Sequence, residues 1–520
     1  MYENREASWT PATKLGSRTV GEGRCHTTRM YVYEESDRGV LPMNQSNKDE
    51  KLLAETEEGR PLIEENTHQL STRSTQSGAS VSQGLAGVRK AAKENKEIRF
   101  TTLLHHVTVE LLRDSFYLLK KKAAPGVDGI TWQEYETGLS DRIIDLHGRV
   151  HRGAYRAQPS RRVYIEKDDG RKRPLGVAAL EDKIVQQAVV TILNQIYEED
   201  FLGFSYGFRP GRNQHQALDA LSYALTKKKV NYVLDADIQG FFDNLDKSWL
   251  IKFVEHRVAD PRILRLIHKW LNAGVMEEGK WSETEKGTPQ GSVISPLLAN
   301  IYLHYVFDLW VNRWRNKYAS GEVVVVRYAD DTIVGFQYLA DAERFLEHFR
   351  ERLRKFGLEL HPDKTRLVEF GRFAERNREQ RGEGKPESFD FLGFTHISGK
   401  SSKGYFTVRR QTIRKRMRKK LKEIKEQLRR RMHDPVAETG KWLKQVVQGY
   451  FNYYAVPGNI DSLSLFRHRL FRLWGQALRH RSQGPGPNLA RRVAWGEQWL
   501  PYPHVLHPYP EQRFAANHPR

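Results

Sequence analysis

The sequence has one cysteine, Cys25, among its 520 residues. A single cysteine excludes a disulfide framework and a zinc site built from several cysteines, and it fits a reducing compartment. No apolar run is long enough to span a membrane, and the amino-terminal segment MYENREASWTPATK lacks the apolar stretch of a secretory signal. We therefore predict no membrane partner and a cytoplasmic location.

Acidic residues are scarce in the last part of the chain. Residues 401–520 carry 25 Lys or Arg against 7 Asp or Glu, so +18 of the formal net charge of +21 lies there. A general requirement for solubility would favour an even spread, whereas a concentrated basic block attracts polyphosphate. The pattern favours nucleic acid as a partner, although a charge run on a helix is more often only solvated.

The composition changes along the chain. Residues 1–90 are polar, and the Ser/Thr-rich stretch at 71–84 predicts a flexible extension in which Met43 is a second candidate start. From Phe100 to about Phe394, helical and strand patterns alternate as in one mixed α/β body. The apolar residues that follow recur at helical spacing with Lys and Arg between them, which predicts a long amphipathic helix with a basic outer face: Ile413, Met417, Leu421, Ile424 and Leu428.

Two adjacent aspartates lie between two strand-like runs in GEVVVVRYADDTIVGF. Val323–Val326 is β-branched and Thr332–Phe336 alternates, so the segment predicts a hairpin with Asp330 and Asp331 at its tip. Taken alone, the pair is explained by turn chemistry, because an Asp side chain bonds nearby backbone. The alternative is a metal site, in which a cation such as Mg²⁺ relieves the repulsion between the carboxylates.

The next segment, DAERFLEHFRERLRKFG, predicts a helix that is capped by Asp341 and ended by Gly357. One face of this helix is apolar: Phe345, Leu346, Phe349, Leu353 and Phe356.

A third carboxylate lies upstream, in VNYVLDADIQGFFDNLD. Residues 230–237 read as a strand with Asp237 near its end. An Asp that closes a strand is usually structural, but together with Asp330 and Asp331 it completes the ligand set of a two-metal site. Such a site activates a primer hydroxyl and stabilises the leaving pyrophosphate, and the protein contributes mainly positioning and charge.

A site of this kind also needs cations and contacts for a triphosphate. YIEKDDGRKRPLGV, residues 164–177, offers Lys167 and Arg173 on either side of a Gly-containing turn, although the segment alone could be an exposed basic hairpin. GTPQGSVISPLLANIYL begins with a Gly/Pro-rich turn that places Gln290 within reach of a nucleotide and continues as a helix from about Ser295. Taken alone, that turn is a loop leading into a helix.

Together and in this order, these stretches resemble the reverse transcriptase domain of group II intron-encoded proteins. The residues that carry the resemblance are DADIQGFFDNLD, YGFRPGR, GTPQGSVISPLLANIYL, RYADD and FLGF, between about residues 100 and 395. WLKQVVQGYFNYYAVPGN, residues 442–459, resembles the family's thumb, or maturase, domain. The implied fold is α+β: a right-hand polymerase with fingers and an antiparallel palm sheet over 91–395, an α-helical thumb over 396–485, and a basic Pro- and aromatic-rich tail over 486–520.

The resemblance implies a role for each matching residue. Asp237, Asp330 and Asp331 are the expected catalytic ligands of two Mg²⁺ ions. The nucleotide-binding positions are Lys167 and Arg173 at the triphosphate, Phe242 under the deoxyribose, where it would exclude a 2′-hydroxyl, and Gln290. Leu392 and Gly393 in FLGF match the turn that grips the primer. On the basic helix we expect RNA contacts from Arg414, Lys415, Arg418 and Lys422.

Two departures from the family pattern matter. Glu166 stands where the family often has Pro, so an extra acid lies next to Lys167. Many relatives end in a zinc-supported HNH endonuclease, and because no cysteine follows Cys25 we expect none here. The tail is expected to be an extended segment packed on the thumb.

The expected function is RNA-directed DNA polymerisation from a bacterial group II intron, with maturase activity in splicing and mobility. The expected partners are intron RNA, an RNA template with a DNA or RNA primer, dNTPs and target DNA, and the protein would be nucleoid-associated during mobility. Alternatives are a maturase with an idle polymerase site, a stand-alone or CRISPR-associated reverse transcriptase, and an RNA-dependent RNA polymerase. The intact aspartates argue against the first, and Phe242 argues against the last.

Overall fold

The computed structural model describes residues 76–166, 172–283, 287, 291–401, 403–481 and 487–517. The predictions that concern Cys25, Met43, Lys167 and Gln290 lie outside these residues. Within the described ranges, no helix combines the length and apolarity needed to cross a membrane.

Helices alternate with short strands along the described chain. The helices are α1 Gln76–Glu94, α2 Val109–Leu118, α3 Trp132–Glu136, α4 Leu139–His151, α5 Leu180–Asp200, α6 Gln214–Lys227, α7 Phe241–Asn244, α8 Lys247–Glu255, α9 Pro261–Leu271, α10 Ser295–Leu303, α11 Leu309–Lys317, α12 Leu339–Arg354, α13 Ala374–Gln380, α14 Arg414–Arg430, α15 Val436–Tyr454, α16 Ile460–Arg479, α17 Leu489–Trp499 and α18 Pro510–Asn517. A 3₁₀ turn covers Leu104–His106, and a π-helical segment, His304–Asp308, joins α10 to α11. The strands are β1 Ser160–Glu166, β2 Lys172–Val177, β3 Tyr232–Ala236, β4 Val275–Glu277, β5 Lys280–Ser282, β6 Val323–Tyr328, β7 Asp331–Phe336, β8 Arg366–Glu369, β9 Ser388–Phe391, β10 Phe394–Lys400 and β11 Phe406–Thr412.

The central sheet has the order β6-β7-β3-β8, and every neighbouring pair in it is antiparallel. Its alternating side chains face two different cores, as the period of two in a strand requires. Leu234 and Val334 lie in a core formed with the helices α1–α5 and α7–α12, whereas Val233 and Ile333 lie in a core shared with α6, α14, α15 and α16. The sheet is therefore held on both faces, which fixes the position of the residues at its strand ends.

Two further sheets complete the described structure. One has the order β2-β1-β4-β5, with antiparallel pairs except for a short parallel contact between β1 and β4. The other is the antiparallel meander β9-β10-β11, which leads into α14. Helices combined with mainly antiparallel sheets confirm the α+β class.

The predicted helix after the hairpin forms as α12, with Phe345, Phe349 and Leu353 buried. It ends at Arg354, and Gly357 follows with a left-handed φ of 69°. The predicted cap was wrong: Tyr338 is the N-cap and Asp341 lies inside the first turn. The carboxylate of Asp341 instead accepts hydrogen bonds from the backbone of Ser320 and Gly321, at 2.9 and 3.0 Å, and so fixes the loop before β6.

The basic helix also forms, as α14. Met417, Leu421, Ile424 and Leu428 are buried, and Ile413 is the residue just before the helix. The tail, predicted as an extended segment, contains the helices α17 and α18. Leu506 donates its backbone N–H to Ala455 O at 2.9 Å, and α18 packs on α6, with Phe514 stacked 4.2 Å from Tyr223 between ring centroids.

The predicted amino-terminal extension is too long. Residues 76–94 form α1, in which Leu85, Val88 and Ala92 are buried. Arg89 pairs with Glu199 of α5 at 2.7 Å. Despite the Ser- and Gln-rich composition, three apolar positions recur at helical spacing and pack on α5, so α1 belongs to the folded body.

Candidate active site

Three predicted carboxylates meet at one edge of the central sheet. Asp237 directly follows β3, Asp331 begins β7, and Asp330 lies in the turn between β6 and β7. Ala236 and Thr332 form the last residue pair between β3 and β7 at this end, and Asp237 and Asp331 are the residues next to that pair. All three are partly exposed, so they can meet a ligand from solvent. The structure thus brings together residues that are almost a hundred positions apart in sequence.

The turn that carries the aspartates has an unusual backbone. Tyr328 pairs with Asp331, which leaves only two residues in the connection, and Ala329 has a φ of 56°. A non-glycine residue rarely adopts this left-handed conformation unless its surroundings enforce it. Gly207 lies against the turn so closely that a Cβ atom there would approach Ala329 N to 2.2 Å. The YGFRPGR loop therefore needs a glycine at this point.

Lys364 is a member of the site that sequence reasoning missed. Its Nζ lies 3.0 Å from Oδ2 of Asp237, and the backbone N–H of His361 donates to Asp237 O at 2.8 Å. Lys364 stands just before β8, which pairs with β3 over Asp235 and Arg366. Nothing in the local sequence around Lys364 signals this neighbour, because the contact depends on the pairing of β8 with β3.

Asp235 is a fourth carboxylate at this edge. Burial, together with the negative charges of Asp331 and Asp237, raises the pKa of Asp235 to about 7, although Arg366 opposes the shift. In the predicted strand, Asp235 and Asp237 are two residues apart and share a face, so the sequence did contain the signal for this residue. Burial is the largest cause of this shift, and the nearby carboxylates of Asp331 and Asp237 add to it.

The donor set fits a divalent cation. Within the described residues, no group of three or more His, Cys, Asp or Glu side chains could hold a metal ion as the side chains stand. The chemistry is nevertheless that of a hard cation site, because carboxylates lie at the neighbouring ends of β3 and β7, and the charges of Asp331 and Asp237 add to the effect of burial in raising the pKa of Asp235. Asp237, Asp330 and Asp331 are the residues that would hold the cation.

The two phenylalanines after Asp237 have different environments. Phe241 is 2% exposed and contacts Tyr302, with ring centroids 6.2 Å apart. Phe242 lies in the same short helix, α7, but is only partly buried and packs at the rim of that core. The partly exposed position of Phe242 is compatible with contact to a ligand, whereas Phe241 packs in the core.

Arg173 lies on β2, opposite Ile165 of β1, and is partly exposed. The antiparallel pairing of β1 with β2 agrees with a hairpin over the segment 164–177. Lys167 and Gln290 lie outside the described residues, so their predicted roles stay predictions. The helix predicted from about Ser295 begins there as α10, with a proline in its first turn.

The FLGF turn joins β9 to β10 as a two-residue hairpin. Leu392 and Gly393 have φ values of 44° and 85°, which is the backbone such turns require. Tyr453 on α15 donates its hydroxyl hydrogen to Leu392 O at 2.8 Å, and a Cβ atom on Gly393 would approach the hydroxyl oxygen of Tyr454 to 3.3 Å. The turn is thus fixed against α15, a contact that no local pattern predicts.

The outer face of α14 is basic and exposed. The four predicted RNA contacts all lie on it: Arg414, Lys415, Arg418 and Lys422. The buried stripe of Met417, Leu421 and Ile424 faces the other way, so these cations do not contribute to the core.

Comparison with known proteins agrees with this geometry. Residues 165–396 match the family model described as reverse transcriptase (RNA-dependent DNA polymerase), a range that contains the three aspartates and the FLGF turn. The chain is 33% identical over 315 residues to protein YkfC of Escherichia coli (strain K12), which covers 53% of this chain and 81% of that protein.

Two further relatives are connected with introns by name. Over 227 residues the chain is 37% identical to the group II intron-encoded protein LtrA of Lactococcus lactis subsp. cremoris, covering 42% of this chain and 37% of LtrA. Over 207 residues it is 37% identical to an uncharacterized 91 kDa protein in the cob intron of Schizosaccharomyces pombe, covering 39% of this chain and 25% of that protein. The match thus spans well under half of these two relatives. The chain belongs to the family of group II intron-encoded reverse transcriptases and maturases, a family of RNA-directed DNA polymerases.

Proposed function

We propose that this chain copies group II intron RNA into DNA and, as a maturase, binds the same RNA to assist splicing and mobility. The observation that supports it most is the pairing of Ala236 with Thr332 across β3 and β7, because Asp237 directly follows β3 and Asp331 begins β7 next to Asp330. Carboxylates at adjacent strand ends are what metal-assisted nucleotidyl transfer requires. The right-hand arrangement of fingers, palm and thumb belongs to the same proposal.

In the proposed reaction, the primer 3′-hydroxyl attacks the α-phosphorus of a dNTP and pyrophosphate leaves. Asp237, Asp330 and Asp331 would hold two Mg²⁺ ions, whose charge would lower the pKa of the attacking hydroxyl and stabilise the leaving pyrophosphate. Arg173, with Lys167, would neutralise the triphosphate. Lys364 keeps a positive charge beside Asp237 and so reduces the repulsion at this edge.

The remaining residues would select and position the substrates. Phe242 would lie under the deoxyribose and exclude a 2′-hydroxyl, and Gln290 would contact the nucleotide. The turn at Leu392 and Gly393 would hold the primer end, since it is fixed to α15 through Tyr453. The exposed face of α14 would bind RNA phosphates, and during mobility target DNA would be a further partner in a cytoplasmic, nucleoid-associated complex.

Extension of oligo(dT) on poly(rA) tests the polymerase reading. With dTTP and Mg²⁺ we expect DNA synthesis, and with UTP we expect little or none. Absence of synthesis with an intact fold would favour a maturase with an idle site, and efficient use of UTP would favour an RNA polymerase. Self-splicing of the cognate intron RNA at low Mg²⁺, with and without the protein, tests the maturase part separately, because a stand-alone or CRISPR-associated reverse transcriptase would not accelerate it.

A further inference from the structure

Directly before the aspartate turn lies a fully buried arginine. Arg327, in β6, and Asp308, at the end of the π-helical segment, have no side-chain exposure, and they form a two-pronged ion pair with N–O distances of 2.7 and 2.6 Å. Ser205 accepts a further bond from Arg327 Nη2 at 2.7 Å. The guanidinium is therefore held in one orientation by partners from two different segments.

The remaining bonds of this guanidinium go to the catalytic turn. Nη1 of Arg327 donates to Ala329 O at 2.9 Å and to Asn300 Oδ1 at 3.1 Å. Asn300 in turn donates from Nδ2 to Gly207 O at 2.7 Å, and Gly207 is the residue that packs against the backbone of Ala329. One hydrogen-bond network thus holds Ala329 in two ways: directly at its carbonyl oxygen, and indirectly through Gly207, which packs against its backbone nitrogen.

Stability alone does not account for an ion pair in this place. Desolvation of two charges offsets most of their attraction, and apolar side chains of similar volume often serve a core as well. Burial also lowers the pKa of neighbouring His304 to about 4. This histidine therefore stays neutral, and the charge of Asp308 is paired with Arg327 and not with His304. What the planar guanidinium adds, and an apolar residue or a lysine cannot, is several donors in fixed directions.

We propose that Arg327 is a positioning residue of the active site. Held by Asp308, it fixes Ala329 in the left-handed conformation and so sets where Asp330 and Asp331 lie relative to Asp237. Asn300 is the second element of the same device. The inference deepens the proposed polymerase function and rests on it; wild-type extension of oligo(dT) on poly(rA) with dTTP tests that function independently.

The test compares two lysine substitutions. Arg327→Lys keeps the charge next to Asp308 but removes the fork that reaches Ala329 O. Arg257→Lys is the matched control, because Arg257 is 2% exposed, pairs with Asp200 at 3.0 Å and bonds to the carbonyls of Asn95 and Ala92, none of which belongs to the turn. We expect both variants to melt earlier by similar amounts. Only Arg327→Lys should lose kcat, by at least tenfold, with the KM for dTTP changed less than threefold.

Mn²⁺ binding provides a readout without turnover. Binding of Mn²⁺ to the enzyme–primer–template complex, followed by the electron paramagnetic resonance of free Mn²⁺, should weaken several-fold in Arg327→Lys and stay unchanged in Arg257→Lys. If the loss of kcat or of Mn²⁺ affinity is the same in both variants, Arg327 has only a structural role and the proposal is overturned.

Ala329→Gly provides a rescue, because glycine adopts a positive φ without the strain that Ala329 carries. Added to Arg327→Lys, Ala329→Gly should raise kcat at least threefold more than it does when it is added to the wild type. If it does not, the proposal is contradicted.

If Arg327→Lys does not fold, Asn300→Ala provides the same test, since it removes one link to Gly207 without leaving a buried charge unpaired. Its kcat should fall at least fivefold, and an unchanged kcat would overturn the proposal.

Discussion

Lys364 Nζ lies 3.0 Å from Asp237 Oδ2, although 127 residues separate them in sequence. The lysine side chain is 54% exposed and the aspartate side chain 27%, so the pair contributes little to stability. Its significance lies in the charge of the site. The ammonium group of Lys364 lies beside carboxylates at the ends of β3 and β7, and the remaining negative charge there is what the proposed metal ions would balance.

Asp330→Asn tests the requirement for these carboxylates. The amide keeps the size and hydrogen-bonding capacity of the side chain but removes a charged ligand, so we expect the fold to persist and the rate of dTTP incorporation to fall about 10³-fold. Asp363→Asn is the control, because Asp363 is exposed next to Lys364 and lies outside the cluster. Near-normal DNA synthesis by purified Asp330→Asn protein would contradict the proposal that Asp330 is a catalytic carboxylate.

Phe242→Val tests whether Phe242 excludes nucleotides with a 2′-hydroxyl. The smaller side chain should relieve a clash with the 2′-hydroxyl and raise the use of UTP relative to dTTP by about tenfold or more, which is about 1.4 kcal/mol or more of discrimination. Melting temperature should change little, because Phe242 is only partly buried. Phe241→Val should lower the melting temperature and leave the nucleotide preference unchanged, since Phe241 is 2% exposed and its truncation leaves a cavity in the core. If Phe242→Val protein keeps normal activity with dTTP and an unchanged nucleotide preference, another residue excludes the 2′-hydroxyl.

The sequence predicted the elements whose signal is local. The β6–β7 hairpin, the apolar face of α12 and the basic face of α14 follow from residues within one element, where periodicity reports burial directly. Asp341 shows the limit of local patterns: it stands where a cap is expected, yet its carboxylate binds the Ser320–Gly321 backbone instead.

Contacts between distant segments carry no such signal. The Arg327–Asp308 pair, the approach of Gly207 to Ala329 and the Lys364–Asp237 pair all depend on how strands and helices pack, and each joins residues that look ordinary in their own segment. The docking of α18 on α6 was missed for the same reason, since the tail reads as Pro- and aromatic-rich rather than helical.

The amino-terminal boundary can be tested by truncation. A chain that begins at Gln76 should keep the melting temperature and polymerase activity of the full chain, whereas one that begins at Asn95 loses α1. Deletion of α1 removes the buried side chains of Leu85 and Val88 and exposes the surface of α5 beneath them, at a cost of about 4 kcal/mol. Equal melting temperatures for the two truncated chains would show that α1 is not part of the stable fold.

The basic face of α14 predicts a salt-dependent interaction with RNA. Changing Arg414, Lys415, Arg418 and Lys422 to Gln should flatten the slope of log affinity against log salt by about 3, at roughly 0.7–0.9 for each phosphate that the variant no longer neutralises. The buried stripe is untouched, so the melting temperature should not change. A second variant with four exposed lysines on other helices or their ends changed to Gln controls for net charge: Lys90, Lys93, Lys317 and Lys355. If the two variants flatten the slope equally, the helix has no special role in binding.

The tail carries a histidine whose contacts suit only its neutral form. Nε2 of His507 lies 2.6 Å from Asn452 O and can donate to it, while Nδ1 accepts from Arg513 Nη2 at 3.0 Å. Arg513 also pairs with Asp219 of α6 at 3.0 Å, and Asp219 pairs with Arg410 of β11 at 3.1 Å. Burial, with the positive charges of Arg513 and Arg410, lowers the pKa of His507 to about 4, against the hydrogen bond to Asn452.

Acidification should therefore release the tail. The folded pKa is below the ordinary value of about 6.5, so the undocked histidine takes up a proton first, and docking is fully stable above pH 6.5 and weakens as the pH falls towards 4. Between pH 7.5 and 5 we expect the protection of residues 510–517 against amide hydrogen exchange, corrected for the intrinsic pH effect, to fall about tenfold. His507→Gln is the control, because a glutamine can donate to Asn452 O and accept from Arg513 without titrating in this range. An equal loss of protection in the Gln variant would show that His507 is not the titrating group, and no loss in the wild type would show that its docking does not depend on the neutral form.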